Sequence, residues 1–163
     1  SGHLVGGFLS TGEIDFGGGA GLDYWTFGLE GQLYLSRTTL DGPLSYSDAD
    51  DSNAELTAVD VGITHFVSDN FSIGGDLGFG SIEDGGPDTD VSTLGLGGEY
   101  QFASLPISVF GGYRHSEIDD IDIEADTFTI GLRYNFGGSL FDRNRSGASL
   151  ARANGFGRYA GVL

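Results

Sequence analysis

The chain has 163 residues, including 30 glycines, 12 phenylalanines and 7 tyrosines, and it has no cysteine. This length fits one domain, the aromatic content excludes a disordered chain, and the lack of cysteine excludes disulfides and thiolate chemistry. The net charge of −17 argues against nucleic acid as a partner, because carboxylates repel phosphates. No apolar run is long enough for a transmembrane helix.

The charge is distributed unevenly along the chain. Residues 1–136 carry a net charge of −20, whereas residues 137–163 carry +3. We therefore expect an acidic body over 1–136 and a basic, Gly/Arg-rich extension over 137–163. The extension is predicted to dock on an acidic lumen or an acidic neighbouring subunit through Arg143, Arg145, Arg152 and Arg158. Ser1 is interpreted as the start of a mature chain after removal of an export signal, or as an artificial boundary.

Apolar and polar residues alternate with period two along most of the body, which predicts β-strands. The first strand, over 3–14, is blurred, because apolar residues fall on both of its faces. The clear strands are 24–35, 58–67, 71–79, 92–102, 107–114 and 127–136. Their polar faces consist mainly of Gly, Ser and Thr, and the chain has no lysine. Small residues of this kind suit a narrow barrel interior better than the wet face of a soluble sheet.

Aromatic residues close the apolar faces of these strands, as in the interfacial girdle of a membrane barrel. The girdle is predicted to contain Phe66, Phe71, Phe102, Tyr134 and Phe136. Short turns at 68–70 and 103–106 alternate with longer acidic loops, predicted at 37–53, 82–90 and 115–126. The pattern predicts an all-β, antiparallel, up-and-down barrel of the transmembrane type with about eight strands.

Two segments resemble a known family. TIGLRYNF at 129–136 resembles the terminal-strand assembly signal of small outer-membrane β-barrel proteins, and HFVSDNFSIGGDLGFG at 65–80 resembles their strand–turn–strand unit. The signal would consist of Thr129, Gly131, Tyr134 and Phe136. The resemblance implies the bacterial outer membrane, usually eight strands, and roles in anchoring, adhesion or envelope integrity. It also implies outer-membrane lipid and the barrel-assembly machinery as partners.

The chain departs from this family in its tail and in its strand count. The family's last aromatic residue usually ends the chain, yet 27 residues follow Phe136. Only seven strands are evident, whereas an antiparallel barrel closes cleanly with an even number. The eighth strand could lie in 38–48, lie in the tail at 155–163, or come from a neighbouring subunit.

Six charged residues fall on the polar faces of the predicted strands. Because a buried charge in a narrow barrel is unfavourable unless it is paired, we interpret them as a salt-bridged network that fills the lumen. A small conductance gate is the alternative, although eight strands leave little more than side-chain space. The network would consist of Glu30, Asp60, Asp76, Glu99, Arg114 and Arg133.

No catalytic, metal or cofactor site is predicted. His65 is expected near a turn on the lipid side, and the adjacent His115 and Ser116 would point to opposite faces of a strand. The carboxylates of 82–90 and 117–124 could hold Ca²⁺, but solvated acidic loops are the favoured interpretation. GGAGLD at 18–23 is a single copy of a Ca²⁺-binding repeat that needs tandem copies.

The sequence therefore predicts a non-enzymatic structural barrel of the outer membrane with acidic surface loops. The alternative is a self-assembling barrel that forms filaments or arrays at the cell surface through exchange of a strand or the tail between subunits. Truncation at Gly137 would separate the two, because only the alternative loses assembly.

Overall fold

The computed structural model describes residues 2–15, 21–49, 54–83, 85–86, 88–118 and 123–146. These residues form eight β-strands and one short helix. The elements are β1 (Gly2–Asp15), β2 (Gly21–Leu35), β3 (Thr38–Ala49), β4 (Glu55–Ser68), β5 (Phe71–Glu83), β6 (Thr89–Gln101), β7 (Ile107–Ile118), β8 (Ile123–Tyr134) and α1 (Leu140–Ser146).

The strands form a single antiparallel sheet in chain order, β1 to β8. Each strand pairs with the next across a hairpin. The turns after β2, β4 and β6 lie at one end of the sheet, here called the turn end, and the other connections lie at the loop end. Within the described residues the edges of β1 and β8 are not paired with each other. The predicted up-and-down barrel architecture is confirmed.

The eighth strand is β3, the first of the three solutions that the sequence left open. The predicted acidic loop over 37–53 is therefore wrong for most of its length. Gly42 and Pro43 resemble a turn in sequence, but both lie inside the strand opposite β2. Proline cannot donate to the ladder, and the β3–β4 pairing accordingly has no partners at these two positions.

The other two predicted loops are shorter than expected. β5 continues to Glu83 and β6 begins at Thr89, while β7 continues to Ile118 and β8 begins at Ile123. These strand ends carry carboxylates at alternate positions, so their hydropathy resembles that of a loop although their backbone is extended.

Large apolar side chains cover the outer face of the sheet, as the alternation predicted. They are exposed because they face outward, and they include Leu29, Leu44, Val61, Ile73, Phe79, Leu96 and Ile130. On β5, Phe71 and Phe79 bracket Ile73 and Leu77, and their separation is about 26 Å along the strand. With the usual barrel tilt this span covers roughly 18–21 Å along the membrane normal, which is most of the apolar band of about 25 Å.

Phe66 is a correction to the predicted girdle. A β-bulge between Phe66 and Ser68 shifts the register of β4 against β5, and Phe66 is only 3 % exposed. Its ring lies 5.3 Å from that of Phe141 in an edge-on contact. Phe66 faces inward beneath α1 because it follows the alternation of β4, in which Ala58, Asp60 and Phe66 share the inner face.

Candidate functional site

The six predicted lumen charges all lie on the inner face of the sheet, on β2 and on β4 to β8. Asp76 on β5 and Arg114 on β7 form an ion pair of 3.5 Å, although β6 lies between their strands. Gly95 occupies the intervening position on β6, and a Cβ atom there would meet the Asp76 carboxylate at 2.5 Å. The missing side chain of Gly95 therefore provides the space in which this pair forms.

A second ion pair joins Glu99 on β6 to Arg133 on β8, with a distance of 2.5 Å. The Arg133 guanidinium also lies 4.8 Å from the centre of the Phe110 ring, a cation–π geometry. Glu99 accepts a further hydrogen bond from the Ser108 hydroxyl. These contacts link β6, β7 and β8 across the inner face.

Glu30 and Asp60 are the most buried members of the set, with 3 % and 2 % exposure. The Gln32 amide donates a hydrogen bond of 2.5 Å to Glu30, and the Tyr34 hydroxyl donates one of 2.7 Å to Gln32. This chain of polar groups runs along β2 toward the turn end. The lumen carboxylates are thus distributed over two sectors of the sheet.

The loop end of the interior is filled by apolar side chains. A buried cluster from β2, β3, β4, β6 and β7 meets there, and it consists of Tyr24, Ala49, Leu56, Ala58, Val91 and Ile118. Ala49 and Ile118 fall in the predicted loops 37–53 and 115–126, so the sequence did not predict this cluster, and the pairing and curl of the strands bring its members together. The polar network is consequently separated from the loop end by packed apolar groups.

Helix α1 lies at the turn end, and its start is set by Ser139 and Asp142. The Ser139 hydroxyl accepts a hydrogen bond of 3.1 Å from the Asp142 amide and donates one of 2.8 Å to the Asp142 carboxylate. This reciprocal arrangement resembles a capping box. The hydrogen bonds from the Ser139 hydroxyl, and then from its backbone amide, lower the pKa of Asp142 below its ordinary value.

The helix is held to the barrel mainly by Arg145. Its guanidinium donates to the carbonyl oxygens of Leu35 at 2.9 Å, Ser36 at 2.8 Å and Thr38 at 3.3 Å. It also lies 4.9 Å from the Tyr34 ring centre. These contacts fix α1 to the turn between β2 and β3.

Further contacts tie α1 to the other hairpins. The Phe141 amide donates to the Asp69 carbonyl at 3.0 Å, in the turn between β4 and β5. Arg143 donates to Gln101 on β6 at 3.3 Å, and its burial lowers the pKa of its guanidinium. Thr39 on β3 donates to Asn144 at 2.6 Å. Helix α1 therefore bridges three hairpins at the turn end.

Helix α1 was not predicted from the sequence. The Ser-x-x-Asp pattern at 139–142, which is typical of a helix N-terminus, is the sequence feature that indicates it. Of the four arginines predicted to dock the tail, Arg143 and Arg145 contact the barrel of the same chain. Arg152 and Arg158 lie outside the described residues, as does the candidate tail strand at 155–163. The proposed domain boundary after Phe136 falls between β8 and α1.

The four residues of the predicted assembly signal divide between the two faces of the final strand and its extension. Thr129 and Gly131 lie on the inner face, and Gly131 leaves room for the Phe110 ring. Tyr134 and Phe136 point outward, with their ring centres 5.0 Å apart. Their role in assembly stays a prediction.

The histidines lie on the outer face. His65 is within 3.0 Å of the Thr38 hydroxyl. His115 lies 2.9 Å from Asp126 on β8, which also accepts a hydrogen bond from Tyr113. Ser116 is buried on the inner face, so His115 and Ser116 point to opposite faces.

Within the described part of the chain, no three His, Cys, Asp or Glu side chains are grouped to hold a metal ion. No helix among the described residues is long and apolar enough to cross a membrane, which says nothing about crossing by β-strands.

Comparison with known structures identifies similar folds. The loop L8 deletion mutant of OmpT, an outer-membrane protein of Vibrio cholerae, matches with a TM-score of 0.57 and 21% identity over 81% of this chain and 48% of that chain. Outer-membrane expressed OmpT of Vibrio cholerae matches with a TM-score of 0.55 and 19% identity over 81% and 51%. The chain spans about half the length of these structures, and such low identities establish the fold alone.

No curated protein matches the chain. A family model described as outer membrane protein beta-barrel domain matches residues 4–136. This match covers β2 to β8 completely and most of β1. The predicted family and its location in the bacterial outer membrane are confirmed. The chain belongs to the outer-membrane protein β-barrel domain family.

Proposed function

We propose that the chain is a non-enzymatic structural barrel whose interior is closed to solutes. The observation that carries this proposal is that the interior is filled at three levels. An apolar cluster fills the loop end, the ion pairs Asp76–Arg114 and Glu99–Arg133 occupy the middle, and α1 lies across the turn end.

The paired charges support a structural role over a conducting one. A gate needs charged groups that can exchange their partners for a passing ion. Here each arginine of the two pairs contacts a carboxylate of a different strand, so a passing ion would have to separate strand-to-strand contacts. Separating a partly buried pair is unfavourable because at least one charge loses its compensation.

The direction of insertion is part of the proposal. Short turns face the periplasm in barrels of this class, while the longer loops face outward. The loop end therefore carries its carboxylates at the cell surface, and α1 faces the periplasm. Outer-membrane lipid and the barrel-assembly machinery are the partners that this arrangement requires.

Single-channel recording tests the closed interior. The full chain, refolded and inserted into planar bilayers, is expected to give no stable current steps. A variant that ends at Phe136 lacks α1 but retains the loop-end cluster, so it is also expected to be silent. Reproducible steps from the full chain would refute the closed interior, and steps from the shorter variant alone would assign the seal to α1.

Strand exchange between copies is the second candidate, and it is favoured by the outer edges of β1 and β8, which are not paired with each other among the described residues. Outward side chains at the edges are among the most exposed, with 76 % for Val5 on β1 and 84 % for Ile130 on β8. The lack of native cysteine permits a clean test with Gly7→Cys combined in turn with Phe128→Cys, Ile130→Cys or Leu132→Cys. Disulfide bonds within one chain would support the monomeric barrel. Disulfide-linked dimers and larger multimers would support strand exchange.

A further inference from the structure

The connection between β8 and α1 contains two consecutive glycines in the left-handed region. Gly137 has a φ of 73° and Gly138 a φ of 66°, a conformation that glycine adopts without steric strain. A Cβ atom at Gly137 would meet no atom of the described residues within 4 Å beyond its chain neighbours. A few residues of this kind can absorb the dihedral changes of a hinge. The chain can therefore change direction here without disturbing β8.

The two glycines separate a residue that is fixed to the barrel from a helix that depends on docking. The Asn135 backbone amide donates to the Pro106 carbonyl oxygen at 2.7 Å, and its side-chain amide donates to the Ser108 hydroxyl at 3.1 Å. Helix α1 has seven residues, which is too short for a helix to be stable alone in water. It therefore keeps its structure only while its contacts with the barrel last.

Docking of α1 leaves two buried polar atoms without a hydrogen bond. Among the described residues, neither the acceptor Asn135 Oδ1 nor the donor Arg143 Nε has a partner. Both side chains contact the same atom, Gln101 Oε1, at 3.4 Å from Asn135 Nδ2 and 3.3 Å from Arg143. A buried polar group that has lost water without gaining a partner is unfavourable. These two atoms therefore weaken the docked state at one contact.

The charge of Arg143 acts in the same direction. Burial is the main cause of the lowered pKa of this guanidinium, Glu99 opposes the shift, and the positive charge of Arg133 adds to it. The Glu99 carboxylate already contacts Arg133 and the Ser108 hydroxyl, so it compensates Arg143 only partly. Undocking of α1 would return the Arg143 guanidinium to water.

Arg145 acts in the opposite direction, because its guanidinium donates to three backbone carbonyl oxygens around the β2–β3 turn. We propose that α1 is a releasable lid, hinged at the two glycines, held closed by Arg145 and biased towards opening by Arg143. Opening exposes the polar groups of β6 and β7 at the turn end to solvent. The inference deepens the closed interior, on which this consequence rests, but release of α1 is measured without conductance, so either can fail alone.

Hydrogen exchange of the Phe141 amide in the folded full chain tests the lid. This amide donates to the Asp69 carbonyl oxygen of the β4–β5 turn, so its protection reports docking. Arg143→Met keeps the apolar stem and removes the buried charge, and it is expected to slow exchange by about threefold to tenfold. Arg143→Lys, the matched control, keeps the charge and is expected to give no slowing. Arg145→Ala is expected to accelerate exchange.

A cysteine beneath the lid gives a second measurement. Thr39 is 1 % exposed and donates to Asn144 of α1 at 2.6 Å. A maleimide is expected to label Thr39→Cys more slowly when Arg143→Met is added and faster when Arg145→Ala is added. Each variant is first checked for a heat-modifiable folded band. Unchanged or faster Phe141 exchange in Arg143→Met, equal slowing in Arg143→Lys, or labelling that ignores both arginines would overturn the inference.

Discussion

At the scale of single residues, the glycines of the inner face make room for large side chains on neighbouring strands. The Phe8 ring covers Gly28, the Asp76 carboxylate covers Gly95 and the Phe110 ring covers Gly131. The sequence predicted small residues for a narrow interior, and the structure identifies which large groups they accommodate. Alternation alone could not pair them, because each pair involves different strands.

Gly28→Ala is expected to destabilise the folded barrel by about 1–3 kcal/mol, the usual range for overpacking. A Cβ atom at this position would overlap the Leu44 carbonyl oxygen as well as the Phe8 ring. Gly31→Ala, on the same strand with no atom within 4 Å of the added Cβ, is the control and should stay within about 0.5 kcal/mol. Urea unfolding in lipid vesicles measures both, and equal effects would contradict this explanation.

Arg145→Ala is expected to release α1 from the turn end, because three carbonyl oxygens lose their common donor. Arg145→Lys should rescue only part of the contact, since an ammonium group lacks the planar fork of a guanidinium. Hydrogen exchange of the α1 amides measures the release. Unchanged protection in Arg145→Ala would mean that Phe141 and Arg143 suffice to hold the helix.

At the scale of elements, the strongly alternating strands were predictable and the exceptions have local physical causes. The strand β3 is ambiguous in the sequence because Gly42 and Pro43 interrupt its apolar–polar pattern. The inward position of Phe66 continues the alternation of β4, so its assignment to the girdle rested on its aromatic side chain and not on its place in the pattern. Helix α1 has only seven residues, too few for a 3.6-residue pattern, and it is held by contacts to turns distant in sequence.

The pH response of α1 follows from Asp142. Its pKa is lowered in the folded chain, so its stabilising contribution is complete above the ordinary value of 3.8. The contribution is lost as the pH falls through the lowered pKa. We therefore expect α1 to loosen only below about pH 4, as followed by the NMR shifts of its amides. In Asp142→Asn this acid transition should be absent, and its persistence would assign it to another group.

At the scale of the whole molecule, the interior connects strands that are not neighbours. The pair Asp76–Arg114 joins β5 to β7, and Glu99–Arg133 joins β6 to β8. The charged residues were recognisable from the sequence because they interrupt faces of Gly, Ser and Thr. Which carboxylate contacts which arginine was not predictable, since it depends on the curvature of the sheet and on the space above Gly95.

The Asp76–Arg114 contact can be measured by a double-mutant cycle. Asp76→Asn and Arg114→Gln are each expected to destabilise the barrel by about 1–3 kcal/mol, less than for a fully buried pair because Arg114 is partly exposed. The double variant should lose less than the sum of the two, since neither residue then remains uncompensated. Urea unfolding in vesicles gives the coupling. If the destabilisation by the two single substitutions is strictly additive, the two side chains do not interact, and the pair does not belong to the lumen network.

We propose that the barrel spans the outer membrane with its acidic loop end at the cell surface and α1 in the periplasm. Cysteine labelling of intact cells with a membrane-impermeant maleimide tests it most directly, because the chain has no native cysteine. Gly86→Cys lies in the connection between β5 and β6, and Ser104→Cys lies in the turn between β6 and β7. Labelling of Gly86→Cys in intact cells, with Ser104→Cys labelled only after the outer membrane is permeabilised, is the result we expect. The reverse pattern, or labelling of both sites in intact cells, would contradict the account.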